Sequence, residues 1–204
     1  MPSDHDRAFP RWETLYDEQE VESMPWFNPE LDEDLKGALD ELGLRHGSAL
    51  DLGTGPGTQA MQLAARGFDV TATDISEAAI RLGRERAKAR GLNIAWRQDD
   101  ILKTGLEQRF DLIFDRGCFH VFAPERREDY VTAVSDLLNI GGYLALKCFS
   151  RLQPGEQGPY RFTPEQIRKI FGARLKILSI RETVYQGTLE ELPRALFCML
   201  RRES

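Results

Sequence analysis

Apolar residues change their spacing repeatedly along this chain. Short apolar-rich runs at Ser48–Leu52, Phe68–Thr73, Asn93–Arg97, Phe110–Phe114 and Tyr143–Phe149 have the length of buried strands. Between them the spacing becomes helical. Thr58–Arg66 closes at Gly67, and Ser76 caps a helix that runs to Arg90 and stops at Gly91. Pro124 opens a helix whose stripe is Tyr130, Val131, Val134, Leu137 and Leu138, stopped by Gly141 and Gly142. Thr163-Pro164-Glu165-Gln166 is a capping box with proline at the first helical position, which predicts a helix to Phe171. An earlier helix fits Asn28 to Leu42, with Leu31, Leu35, Ala38, Leu39 and Leu42 on one face and Gly43 as its stop. The stretch up to about Trp26 mixes acids with scattered aromatics and shows no period.

Strands that alternate with helices predict a parallel sheet covered on both faces. Two last strands, Leu175–Val184 and Arg194–Arg201, are joined closely enough to pair antiparallel. The expected fold is therefore α/β and Rossmann-like: seven strands, mostly parallel, the last antiparallel, with helices on both sides. A length of 204 residues suits one domain, residues 1–204. Its core is expected over 47–204, behind an N-terminal arm and helix over 1–46.

Composition changes this picture in a few places. Hydrophobic residues at 41% and charged residues at 29% suit an ordered chain. No apolar run approaches the roughly 20 residues of a membrane span, and the polar, acid-bearing start to Trp12 reads against a signal peptide. Cys118, Cys148 and Cys198 are odd in number and widely spaced, so neither a disulfide framework nor a metal site is expected, and a reducing cytoplasm is. The net charge is −6, with thirteen acids against four bases up to His46. The basic helix Arg81–Arg90 reads as a solvated surface. Without a basic face, nucleic acid is not the expected partner, and a small molecule is.

The chemistry-bearing segment is Asp51-Leu52-Gly53-Thr54-Gly55-Pro56-Gly57, which leaves the first strand and enters a helix. Glycines there permit a tight turn and let a ligand reach the bare backbone. Asp74 ends the second strand about 20 residues later, where a carboxylate can accept both ribose hydroxyls. Thr58 stands where the dinucleotide pattern needs glycine or alanine, and Pro56 removes an amide donor that a pyrophosphate would use. The loop suits a ligand without phosphates.

This stretch resembles motif I of the class I S-adenosylmethionine-dependent methyltransferases. The resemblance implies that Asp51, Thr54 and the backbone of Gly53, Gly55 and Gly57 hold the methionine end of S-adenosylmethionine. It puts the ribose on Asp74, with Ile75 on the adenine. Asp100-Ile101 resembles the motif whose acid meets the adenine amino group, with Asp99 a competing choice. Phe110–Asp115 resembles the family's fourth-strand motif, and Leu196–Arg201 its antiparallel seventh strand. A narrower likeness is to the branch holding thiopurine, thiol, halide and tellurite-resistance methyltransferases. Trp12, Tyr16 and Pro25-Trp26 match the order of that branch's N-terminal aromatics, and Gly158-Pro159-Tyr160 also resembles it. It implies a lid of aromatics over the cofactor, and a sulfonium is attracted to aromatic faces.

Methyl transfer from a sulfonium needs proximity, alignment and, for a poor nucleophile, a base. Asp115-Arg116-Gly117-Cys118-Phe119-His120 lies just past the fourth strand, at the edge of the sheet where ligands bind. His120 is the expected base, with Asp115 and Arg116 beside it. Cys118 and Cys148 are candidates for a metalloid-binding pair, and Lys147 is an odd residue for a central strand. The expected reaction is methylation of a small molecule with a soft nucleophile, such as a thiol, a selenium or tellurium oxyanion, or a halide. An RNA or protein methyltransferase and a non-catalytic cofactor-binding module stay open as alternatives.

Overall fold

In a computed structural model, described over residues 9–155 and 157–204, strands and helices alternate from Gly47 onward. The first eight residues of the expected arm, and Glu156, lie outside the described residues. The strands are β1 (Gly47–Leu52), β2 (Phe68–Asp74), β3 (Ala95–Gln98), β4 (Phe110–Arg116), β5 (Leu138–Ser150), β6 (Arg161–Phe162), β7 (Lys176–Val184) and β8 (Arg194–Arg201). Their order is β3-β2-β1-β4-β5-β8-β7, and β6 adds a two-residue parallel pairing to β5. β8 runs antiparallel to both β5 and β7, and the other pairings are parallel. The mostly parallel sheet with an antiparallel last strand is as expected. The short β6 carries too little pattern to be read from sequence.

The helices are α1 (Trp12–Glu18), α2 (Glu33–Leu42), α3 (Thr58–Ala65), α4 (Glu77–Ala89), α5 (Arg127–Leu137) and α6 (Pro164–Phe171). Most of their caps are those the sequence marks, but α5 ends at Leu137: Leu138 is already extended and starts β5, and Gly141 and Gly142, expected to stop the helix, lie inside that strand. Ser76 accepts from Ala79 N–H, the Thr163–Gln166 capping box closes in both directions, and Gly43 ends α2 in the left-handed region at φ 64°. α2 starts later than expected, because the Asp32 side chain accepts from Asp34 and Leu35 N–H and so fixes the cap four residues after Asn28. Pro124 starts a single 3-10 turn before α5 begins.

Alternation along the central strands divides the core between two faces. Leu50 and Ile113 point into one cluster with Val134, Phe171 and Leu196, and Ala49 and Leu112 into the other with Leu35, Leu63 and Phe197. Strand order reverses between β1 and β4, so their carboxyl ends open a crevice at the switch point. A Cβ on Gly53 would lie only 3.0 Å from that of Cys118, which shows how closely the loops after β1 and β4 meet there.

Candidate active site

The glycine loop is built for close approach. Gly53, Gly55 and Gly57 have φ of 66°, 52° and 79°, and a Cβ on Gly55 would lie 2.7 Å from the Tyr16 hydroxyl. Asp51 is buried beneath the loop, where its Oδ2 accepts from the Thr54 hydroxyl at 2.5 Å. Burial pushes the Asp51 carboxyl up to about 6, against the hydrogen bonds from Thr54 and the Ala60 amide. Asp74 grips the loop from β2: its Oδ2 accepts from Gly55 N–H at 2.8 Å and its Oδ1 from Ser76 N–H at 2.9 Å. Burial raises its carboxyl too.

Gly57 departs from expectation. Its Cβ would fall 2.3 Å from the tip of the Trp96 indole, and the residue does not line the crevice. It packs the loop on β3 instead of facing a ligand.

A cavity of about 470 Å³ follows the crevice. Gly53, Thr54, Gly55, Asp74 and Ile75 line one end, together with Asp99, Asp100 and Ile101. Asp100 uses Oδ1 to cap the 3-10 turn at Leu102 N–H, 3.0 Å away. Asp99 accepts from Gly105 N–H at 2.8 Å through Oδ1, while its Oδ2 is buried without a partner. The other end is lined by Gly117, Cys118, His120, Val121, Phe122, Phe149, Tyr185 and Leu189.

The N-terminal arm roofs this space. Trp12, Tyr16 and Trp26 all line it, with the Trp12 and Trp26 rings edge to face at 6.2 Å and 73°. Burial and the Asp74 carboxylate push the Tyr16 phenol up, opposed by a hydrogen bond with Trp26. What holds the arm down was not legible in its sequence. Glu13 caps α4 from outside, accepting from Ser76 Oγ at 2.8 Å and Ala78 N–H at 3.1 Å, and Asp17 and Glu22 pair with Arg81 and Arg86. The basic helix is thus the docking track of the acidic arm and not simply a solvated surface. The signal was the coincidence of opposite charge on two segments, which no local reading joins.

The three expected catalytic residues separate. Asp115 is fully buried and lies outside the cavity lining. Its carboxylate accepts from Gly117, Cys118 and Phe119 N–H and from Tyr130 Oη, so it shapes the turn after β4 and has no oxygen to offer a reactant. Arg116 reaches the cavity wall, but its guanidinium donates to Asp32 at 2.9 Å, to the Trp26 carbonyl at 3.1 Å and to the Gln186 carbonyl. His120 does line the cavity. Burial holds it neutral, its pKa pushed down to about 3, which makes it a poor proton acceptor.

Lys147 proves to be the partner of acids: buried in β5, it donates to Asp32 and Asp34 and to Gln186. Cys148 is also buried, and burial together with the neighbouring Cys198 pushes its thiol up, whereas Cys118 lines the cavity.

Residues 49–142 match the family model described as a methyltransferase domain. The chain is 32% identical over 136 residues to the 2-heptyl-1-hydroxyquinolin-4(1H)-one methyltransferase of Mycobacteroides abscessus, covering 65% of this chain and 60% of that protein. Over 94 residues, 46% of this chain and 33% of the relative, it is 31% identical to the probable S-adenosyl-L-methionine-dependent methyltransferase TehB of Haemophilus influenzae. The TehB crystal structure superposes with a TM-score of 0.70 at 21% identity, covering 84% and 62% of the two chains. A structure solved in connection with the conversion of a disulfide bond into a thioacetal group during echinomycin biosynthesis superposes with a TM-score of 0.80 at 29% identity. It covers 94% of this chain and 91% of its own.

Proposed function

Because the chain is a class I S-adenosylmethionine-dependent methyltransferase that resembles the TehB branch, we propose that it methylates a small, largely apolar acceptor on a thiol. The observation that carries this reading is the acceptor end of the cavity. Val121, Phe122, Phe149, Pro159, Leu189 and Pro193 make its wall apolar. Arg116, the one cation among the described lining residues, is already paired with Asp32. A selenium or tellurium oxyanion, or a halide, enters already charged and would call for a cation the wall does not offer, whereas a thiol can enter neutral. A thiol suits it, since a free thiol with a pKa near 8.5 ionises without a base. The relatives add support: one is named for a hydroxyquinolone acceptor and another was solved for sulfur chemistry on echinomycin.

The residues present fit the cofactor. Gly53 and Gly55 present bare left-handed backbone on the cavity wall, the aromatic roof suits a sulfonium, and Asp99 Oδ2 is a buried acceptor that lacks a donor. In this reading Asp51, Thr54, Gly53 and Gly55 hold the methionine end and Asp74 the ribose. Ile75, Asp100 and Ile101, with Asp99, surround the adenine. When bound, S-adenosylmethionine would supply an electrophilic methyl on a sulfonium for the thiolate to accept, with the neutral thioether as leaving group. The chain contributes alignment and a dry cavity. Residues of the arm, Trp12, Tyr16 and Trp26 among them, act as a lid whose roof favours a small acceptor over a polymer. Among the described residues no helix is long and apolar enough to cross a membrane, and we assign the enzyme, with its three free thiols, to the cytoplasm.

Two measurements test this. Calorimetry should show S-adenosylhomocysteine binding to the wild type, weakened by about 1–3 kcal/mol in Asp74→Ala. Thiophenol and benzyl mercaptan should be methylated, and selenite and tellurite should not. Transfer to the oxyanions alone would overturn the thiol assignment.

A further inference from the structure

The surroundings of His120 give it a hydrogen-bonding role opposite to that of a base. Its ring stacks on Phe149 with centroids 5.0 Å apart and planes 10° from parallel. Nδ1 faces two groups, the Phe149 backbone N–H at 3.3 Å and the Tyr185 hydroxyl at 3.4 Å. A peptide N–H can only donate, so Nδ1 is the nitrogen with the lone pair. The Tyr185 hydrogen is directed at the Lys147 carbonyl, 2.6 Å away, and does not compete for that lone pair. The imidazole proton therefore sits on Nε2.

Nε2 lies over Gly117, at φ 120°, where a Cβ would come within 3.3 Å of it. The missing side chain keeps this edge of the ring clear, and both residues line the cavity. Among the described residues, none is hydrogen-bonded to Nε2. Arg116 and Lys147 lie over the Tyr185 ring at 5.4 and 5.7 Å and are both paired with Asp32, so burial is what opposes protonation of the imidazole.

We propose that His120 is a fixed hydrogen-bond donor that selects acceptors bearing a carbonyl oxygen next to the thiol. A neutral N–H at this point calls for a lone-pair atom opposite it. A donor placed on the sulfur itself would hold down the electron pair that must attack, so a neighbouring oxygen is the productive partner. The thiol loses its proton to solvent before the site closes, and no side chain receives it. This rests on the thiol reading above and adds what the thiol must carry beside it.

Two experiments decide it. The first is long-range ¹⁵N–¹H correlation on labelled protein with S-adenosylhomocysteine, from pH 5 to 9. The chain has three histidines, and His120 is assigned by the signal lost in His120→Gln. A pyridine-like Nδ1 and a pyrrole-like Nε2, constant over the range, are expected. A protonated Nδ1, or titration with a midpoint above pH 6, overturns the proposal. The second compares methyl 2-mercaptobenzoate, with its carbonyl beside the thiol, against thiophenol. His120→Phe should lower kcat/KM roughly tenfold for the first and less than threefold for the second, with part of the loss recovered in His120→Gln. Equal losses for both probes overturn the donor role. If the wild type methylates neither probe, the thiol reading fails, while the spectrum still decides the state of His120.

Discussion

Lys147 Nζ lies 2.7 Å from Asp32 Oδ2, a contact that joins a central strand to the cap of a helix 115 residues earlier. Arg116 stands beside Lys147 at the same register on β4, 2.9 Å from the same Oδ2. Two cations side by side on neighbouring strands need an anion between them. Burial pushes the Asp32 carboxyl up, but Lys147 and Arg116 outweigh it and hold it below its ordinary value. Arg116 in turn holds the Trp26 carbonyl, so the network fixes one end of the lid.

Removing one partner of such a buried group strands the others. Lys147→Met should cost about 3–5 kcal/mol in denaturant unfolding, and Asp32→Asn a comparable amount. The double variant should lose less than the sum. Lys176→Met, which breaks an exposed pair of similar length at 2.6 Å, should cost under about 1 kcal/mol. A loss below about 1 kcal/mol in Lys147→Met would mean the network is not what anchors α2.

The fold was legible because its signals are local. The glycine loop, Ser76, the Thr163 capping box and the alternation of strand and helix each sit within a few residues of what they specify. The end of the cavity lined by Gly53, Gly55 and Asp74 was legible for the same reason, since one loop and the ends of two neighbouring strands meet there. The acceptor end was not. Phe149, Tyr185 and Leu189 come from distant segments and carry no mark of sharing a wall with His120. The helix α1 was missed because its docking depends on Glu13 and Asp17 reaching Ser76, Ala78 and Arg81, not on an apolar stripe of its own. Lys147 looked anomalous only because its acids lie at the other end of the sequence.

The Trp96 indole is clamped between two glycines. A Cβ would lie 2.3 Å from its tip at Gly57 and 2.4 Å at Gly83, on α4. Gly83 sits in a helix, where alanine would ordinarily gain about 1 kcal/mol. Here overpacking wins, and Gly83→Ala should lose about 1–3 kcal/mol of stability. In a Trp96→Leu background the same change should become neutral or stabilising. Thermal unfolding of the four proteins checks this, and an unchanged penalty without Trp96 would place the clash elsewhere.

If Asp51 holds the methionine end as proposed, it sets stability against function. Its folded pKa of about 6 lies above the ordinary carboxylate value, so the native state binds the proton more tightly than the unfolded chain. Stability from this group is present below pH about 4 and is lost as pH rises through 6. At pH 8 the buried charge costs roughly 2–3 kcal/mol. Cofactor-free Asp51→Asn should therefore be more stable than the wild type at pH 8 but not at pH 4, while binding S-adenosylhomocysteine more weakly at both. Equal effects on unfolding at the two pH values would show that the carboxylate is not desolvated as described.

The N-terminal arm is held by contacts of unequal strength, and under the proposed lid role that inequality predicts how it opens. Asp17–Arg81 and Glu22–Arg86 are pairs with at least one exposed member, in a regime where water and salt screen the attraction. Glu13 differs because its carboxylate meets Ser76 Oγ and a free amide at the first turn of α4, where the helix dipole favours negative charge. Truncating such a cap costs about 1 kcal/mol, so Glu13→Ala should speed release of S-adenosylhomocysteine about fivefold. Stopped-flow fluorescence is suited to the measurement, because Trp12 and Trp26 meet over the cavity. Asp17→Asn and Glu22→Gln should each have a smaller effect, and one that vanishes as salt rises toward 1 M. The effect of Glu13→Ala should persist there, since its hydrogen bonds to Ser76 and Ala78 are short-range. Release that responds equally to all three substitutions, and that salt accelerates without limit, would mean that the arm is held by diffuse charge and that the α4 cap does not govern its opening.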